Sequence, residues 1–216
     1  MEQRILMICA HPDDELLWMG GTLLKYRENF KVDFACLTMP FNRSRVKGLF
    51  RIERHFNTGV ILCFGYEDDT AVWREGVNFD FDDQWLDCLD YEKYDLIFSH
   101  NRYGEYYHPH HIYIHNRLKE KGIPFISFGH LEFSDFYVNL DDKERSEKQN
   151  LLMELYPSEY ERSFHKFTYW HTNIERFRFE IPDENNEKNE NEDVREEFMK
   201  KIDCLWGGEL QLKNEL

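Results

Sequence analysis

The sequence predicts an α/β fold, a doubly wound, mostly parallel sheet in three layers, and three observations carry that prediction. Short apolar runs without polar alternation recur through the first 130 residues, each the mark of a strand buried on both faces. Segments of helical period separate them. Glycine, proline and aspartate clusters punctuate the junctions. At 216 residues the chain fits a single domain, with a core over about residues 3–130 and a looser extension over 131–216.

Residues 4–10 form the first run, which His11-Pro12-Asp13-Asp14 ends. Residues 15–28 carry Leu16, Leu17, Leu23 and Leu24 at helical spacing around Gly20-Gly21. Paired glycines weaken a helix, so their presence here predicts close packing against the sheet. The alternation continues as strand 32–38, helix 45–57, strand 60–64, helix 79–91, strand 94–99, helix 109–121 closed by Gly122, and strand 124–128. Beyond Gly129 the pattern loosens. It predicts an edge strand over 133–140, a helix over 142–155, an aromatic-rich strand over 164–170, a mobile acidic loop over 183–193 and a last amphipathic helix over 194–206.

Composition excludes some partners. A net charge of −15 argues against nucleic acid or an anionic membrane bound through a broad basic surface. No uninterrupted apolar stretch approaches the ~20 residues that a membrane span needs. The opening Met-Glu-Gln-Arg runs straight into a strand, so no signal peptide is expected. Cys9, Cys36, Cys63, Cys88 and Cys204 form no C-x-x-C pair and read as reduced thiols, which makes a cytoplasmic protein the default. A homo-oligomer is left open.

Two clusters carry chemistry. His11-Pro12-Asp13-Asp14-Glu15 follows the first strand, and Gly104-Glu105-Tyr106-Tyr107-His108-Pro109-His110-His111, with His115 beyond it, follows the fourth. In an open α/β sheet, ligands bind beyond the carboxyl ends of the strands where strand order reverses, so both clusters can occupy one crevice. Imidazole and carboxylate suit Zn²⁺, with three protein ligands and a fourth position for water. Adjacent acids cannot easily bind one ion with the same geometry, so one of Asp13 and Asp14 would ligate and the other would face the water as general base. His111 and His115, four residues apart on a helix, are an alternative ligand pair. An isolated H-P-D-D turn also fits a helix cap, and adjacent acids after a first strand also occur in phosphoacceptor receiver domains. The histidine cluster weighs against both.

With its flanking residues, Ala10-His11-Pro12-Asp13-Asp14-Glu15 resembles the first signature of the LmbE-like, GlcNAc-phosphatidylinositol (PIG-L type) de-N-acetylase family. Gly104 to His111 resembles its second signature, usually written G-E-Y-G-H-P-D-H, and the Gly20-Gly21-Thr22-Leu23 and Phe64-Gly65-Tyr66 steps are similar too. The resemblance covers about residues 3–130 and implies a zinc-dependent hydrolase that removes an N-acetyl group from an amino-sugar-type substrate. It implies one zinc held by His11, Asp14 and His111, with Asp13 as general base. It also implies that His108 stabilises the oxyanion and protonates the amine, and that Tyr106 polarises the carbonyl.

The chain departs from the signature twice. Tyr107 stands for the usual glycine, which would narrow the pocket. His110 stands for the usual aspartate, which would remove an anion that orients and tunes His108. That second change makes a catalytically impaired metal- or sugar-binding module the rival reading. Among other residues, Arg43, Arg45, Arg51 and Arg54 could line a sugar or phosphate pocket or form a solvated helical face, and Asp68 and Asp69 could contact substrate hydroxyls.

Overall fold

The structure, a computed structural model, describes residues 3–38, 43–67, 84–129, 133–166, 174–181, 188–206 and 211–212. The apolar runs become parallel strands β1 (Gln3–Cys9), β2 (Phe30–Thr38), β3 (Thr58–Tyr66), β4 (Leu96–Ser99) and β5 (Phe125–Phe128). Three further strands, β6 (Phe136–Asn139), β7 (Ile174–Glu180) and β8 (Gln211–Leu212), add in antiparallel sense, so the sheet order is β3-β2-β1-β4-β5-β7-β6-β8. The chain steps outward from β1 to β3, then crosses back to lay β4 on the other side of β1. Strand order therefore reverses between β1 and β4, as the motifs require.

The helices are α1 (Asp14–Lys25), α2 (Arg43–Arg51), α3 (Gln84–Asp87), a distorted turn α4 (Gly104–Tyr107), α5 (Pro109–Glu120), α6 (Asp142–Leu155), α7 (Pro157–Lys166) and α8 (Lys188–Trp206). Strand alternation sorts β1 between two cores. Ile5, Met7 and Cys9 face one side with Leu16, Leu23, Leu152, Ile202 and Trp206. Leu6, Ile8 and Ala10 face the other with Trp85, Leu86, Ile114 and Leu118. These are the three predicted layers. Among the described residues no helix is long and apolar enough to cross a membrane.

Several expectations are corrected. Of the helix expected over 79–91, residues 79–83 lie outside the described residues. The rest forms only α3 and, after a break, a 3₁₀ turn Tyr91–Lys93. Residues 164–166 end α7 instead of starting a strand, and 167–170 lie outside the described residues. The strand is β7, where charged and apolar residues alternate. Of the acidic loop expected over 183–193, residues 183–187 lie outside the described residues, and 188–193 open α8, which continues to Trp206. Gly20 and Gly21 permit close packing, at Leu140 just after β6 and at Lys148 on α6, and the Gly21 amide also meets Glu175 on the sheet strand β7. A Cβ on Gly21 would lie 2.2 Å from a Leu140 methyl carbon.

That approach is tied by charge. Glu175 on β7 accepts the Gly21 and Thr22 amides at 2.9 and 2.7 Å and the Thr22 hydroxyl at 2.6 Å. Lys148 on α6 donates to Glu175 at 2.6 Å and to the Leu17 carbonyl at 2.8 Å. The carboxyl-terminal third thus grips the interior of α1, the helix that begins at Asp14.

Candidate metal and acid–base site

His11 leaves the carboxyl end of β1, and the chain then turns into α1 through Asp13, whose φ is 135°. Asp13 occupies the helix N-cap position, but its side chain makes no cap hydrogen bond. Its carboxylate serves elsewhere. Arg45 on α2 donates to Asp13 Oδ1 at 2.6 Å and to the Pro12 carbonyl at 3.0 Å. Asp13 Oδ2 is buried and has no hydrogen-bond partner among the described residues. Burial, opposed by Arg45 and reinforced by Asp14, pushes the Asp13 carboxyl up to about 7. Glu15 braces the turn, accepting the Asp13 amide at 3.0 Å and the Tyr156 hydroxyl at 2.5 Å. Its own carboxyl is pushed up to about 8 by burial.

Asp14 is equally buried, and burial raises its carboxyl, whereas charge on the His111 and His100 rings would hold it well below the ordinary carboxylate range. Its Oδ2 accepts the His11 amide at 2.8 Å. Around it stand the imidazoles. His11 Nδ1 lies 3.3 Å from Asp14 Oδ2, His111 Nε2 lies 3.4 Å from Asp14 Oδ1, and the two ring nitrogens are 3.2 Å apart. Two of these separations are made by different Asp14 oxygens, and each is near the roughly 3.3 Å between donors bound at ~2.0–2.1 Å in a tetrahedron, the range of a zinc-sized ion. Two overlapping groups that could hold a metal ion are His11/His108/His111 and Asp14/His100/His111.

The second cluster comes from the loop after β4 and the start of α5. Glu105, at φ 57°, is buried and turns inward. Its Oε2 faces His111 Nδ1 at very short range and His100 Nδ1 at 3.0 Å, and its Oε1 accepts the Asn101 amide at 2.9 Å. With its Nδ1 proton given to Glu105, His111 presents the Nε2 lone pair toward Asp14 and His11. At His100, burial opposes an imidazolium while Glu105 and Asp14 favour it, lifting the ring to about 9. The Ala10 amide nevertheless donates to His100 Nε2 at 2.9 Å, and that donor selects the neutral Nδ1–H form.

His108 caps α5, its Nδ1 accepting the His110 amide at 3.2 Å, with Pro109 in the first helical turn where a missing N–H costs nothing. Burial first, then the neighbouring His11 and His110 rings, drive its pKa far below the imidazole range, so the ring is neutral with its proton on Nε2. The Tyr106 ring meets His108 and His111 edge-on and stacks on Trp18. Burial first, then Asp14 and Asp13, raise the phenol far above its usual range and keep it protonated.

All six residues read from the sequence as catalytic or ligating therefore converge: His11, Asp13, Asp14, Tyr106, His108 and His111. His115 does not join them, because its Nδ1 faces the His100 carbonyl at 3.1 Å. The His110 ring lies against His11, with Nδ1 3.0 Å from His11 Nε2, and 5.2 Å from the His108 ring, while its backbone amide donates to His108 Nδ1. Tyr107 is 74% exposed. Arg45 enters the site, whereas Arg51 pairs with Glu154 at the surface. Asp68 and Asp69 lie outside the described residues. Sequence reasoning missed Glu105 as a partner, though it sits inside the second signature, and His100, though it directly follows β4.

A curated relative, the probable N-acetylglucosaminyl-phosphatidylinositol de-N-acetylase of Dictyostelium discoideum, is 28% identical over 132 residues, 56% of this chain and 50% of that protein. The chain resembles the LmbE/PIG-L de-N-acetylases. It spans about half the length of the curated relative it matches. No protein-family model matches the chain. Among solved structures, the N,N'-diacetylchitobiose deacetylase of Pyrococcus horikoshii, complexed with its inhibitor MPG, superposes with a TM-score of 0.55 at 16% identity, covering 83% of this chain and 84% of that one. The conserved protein TT1542 of Thermus thermophilus gives a TM-score of 0.55 at 18% identity, over 84% of this chain and 96% of that one. These likenesses show that the fold is of the LmbE/PIG-L kind. The two segments that resemble the LmbE/PIG-L signatures meet here, after β1 and β4.

Proposed function

We propose that the chain is a zinc-dependent hydrolase that removes an N-acetyl group from an amino-sugar-type substrate, releasing acetate and a free amine. The observation that carries this reading is the convergence of His11, Asp14 and His111, whose ring nitrogens lie 3.2 Å apart and 3.3 and 3.4 Å from the two Asp14 oxygens, with the unpartnered Asp13 Oδ2 on the neighbouring residue. The names of two relatives add the substrate class, since both describe deacetylases of N-acetylated sugars.

His11, Asp14 and His111 would hold the ion. Bound zinc supplies a Lewis acid for an amide carbonyl and lowers the pKa of water. The rest is done by the chain. Arg45 pins Asp13 Oδ1, leaving Oδ2 to take the proton of the attacking water. His108, its Nδ1 already accepting, turns an Nε2–H toward an oxygen on which charge builds. The protonated phenol of Tyr106 adds a second donor. Because His108 enters neutral, the proton gathered on Asp13 is the one delivered to the departing amine. This assignment divides the two tasks that the family resemblance gives to His108.

Acetate release from a panel of N-acetylated amino sugars, by zinc-loaded and chelated protein, tests the reading. Loaded wild type should release acetate. Asp13→Asn should keep stoichiometric zinc while losing about 10²–10⁴-fold in kcat, and Asp14→Asn should lose zinc itself. Stoichiometric zinc without acetate release from any sugar would leave the impaired binding module as the better reading.

A further inference from the structure

We propose that Trp18 is a positioning residue of this site, holding the Asp14 carboxylate through its indole N–H and the Tyr106 ring through stacking. The proposal rests on the zinc-hydrolase reading above and adds a residue that neither signature contains. Trp18 lies one helical turn after Asp14 on α1, so its side chain returns toward the helix start, over Asp14. Its Nε1 is 3.3 Å from Asp14 Oδ1. Its ring lies 6.1 Å from that of Tyr106 with 24° between the planes.

The two contacts have separate consequences. An aspartate rotates broadly about its last torsion unless both oxygens are held. The His11 amide holds Oδ2 and the Trp18 indole holds Oδ1, so the plane of the carboxylate is fixed between the two imidazoles. Tyr106 is held from two directions. Its ring meets His108 at 5.5 Å and 90°, and His111 at 5.4 Å and 76°, with Trp18 stacked on it as well. Plain packing would be served by any large apolar side chain at residue 18. An indole differs in carrying one donor and no acceptor, and here that donor is directed at a site carboxylate.

Zinc affinity, measured by competition with a chromophoric chelator, separates the two contacts when read beside kcat in excess zinc. Circular dichroism first establishes that each variant is folded at the assay temperature. Trp18→Phe keeps a ring against Tyr106 and removes the N–H, so zinc should bind about tenfold more weakly. Trp18→Leu removes both contacts. It should show the same loss of affinity together with a lower kcat and a higher KM than Trp18→Phe, because Tyr106 has lost its backing. If Trp18→Leu does not fold, the affinity of Trp18→Phe still decides. Wild-type affinity in Trp18→Phe, with zinc bound by the wild-type protein, overturns this proposal alone. Equal kcat and KM in Trp18→Phe and Trp18→Leu overturn the stacking half. A wild-type protein that takes up no zinc overturns the functional reading and this proposal with it.

Discussion

At Tyr107 the backbone holds φ at 67°, a conformation that costs a residue with a Cβ about 1–2 kcal/mol. The family signature has glycine here, and the torsion gives the reason: the step from Glu105 to His108 needs a left-handed residue, not an empty pocket. Because the Tyr107 side chain is largely solvent-exposed, Tyr107→Gly should stabilise the protein. The gain should be about 0.5–1 kcal/mol by urea denaturation after the extra chain entropy of glycine is subtracted. A loss of stability would show that the ring packs on something essential. The individual site residues were legible because their types are unusual together: paired acids and clustered histidines have few purely structural uses. Glu105 and His100 were not, because a lone glutamate and a lone histidine read as ordinary until a fold brings their side chains to one point. Arg45 was ambiguous for a related reason, since its spacing from Arg51 and Arg54 suits a solvated face as well as a buried contact.

On the scale of elements, α1 shows how a glycine pair and a buried ion pair depend on each other. Lys148 and Glu175 are 3% and 4% exposed and make five hydrogen bonds, of which three reach α1 main-chain atoms. Removing one charge leaves the other buried and uncompensated. Lys148→Met should therefore cost about 3–5 kcal/mol, and adding Glu175→Gln should recover part of that loss, since the amide oxygen still accepts a backbone N–H. Additive losses in the double variant would count against the pair. The parallel strands were legible because burial on both faces removes polar alternation from their sequences. The glycine pair signalled a close approach but not its partner, since Leu140 lies more than a hundred residues away in sequence. Strand β7 went unread, its alternation of charged and apolar residues eclipsed by the richer aromatic stretch just before it.

On the scale of the whole molecule, His115 contributes to the pH dependence of stability in a definite direction. Burial is the main cause that lowers its pKa to about 4, opposed by its bond to the His100 carbonyl. An imidazole freed by unfolding regains its ordinary value of about 6.5, so the unfolded chain binds more protons between those limits. The stability supplied by neutral His115 is thus complete above about pH 6.5 and is lost as the pH falls toward 4, a difference of roughly 2–3 kcal/mol. His115→Gln should flatten that part of the stability–pH curve, and an unchanged slope would contradict the shift. The doubly wound order and the meeting of the two motifs at its reversal were foreseeable from chain order alone, whereas the antiparallel β7-β6-β8 extension was not. That extension has a consequence for biosynthesis. The first motif leaves the ribosome before its clamp, because the Glu175 carboxylate that engages the Gly21 and Thr22 amides is 153–154 residues further along the chain. At synthesis rates of about 5–20 residues per second, α1 waits roughly ten seconds or more for its partner to be translated. During that wait the nascent chain carries the proposed metal-binding residues on an unclamped helix, open to a chaperone.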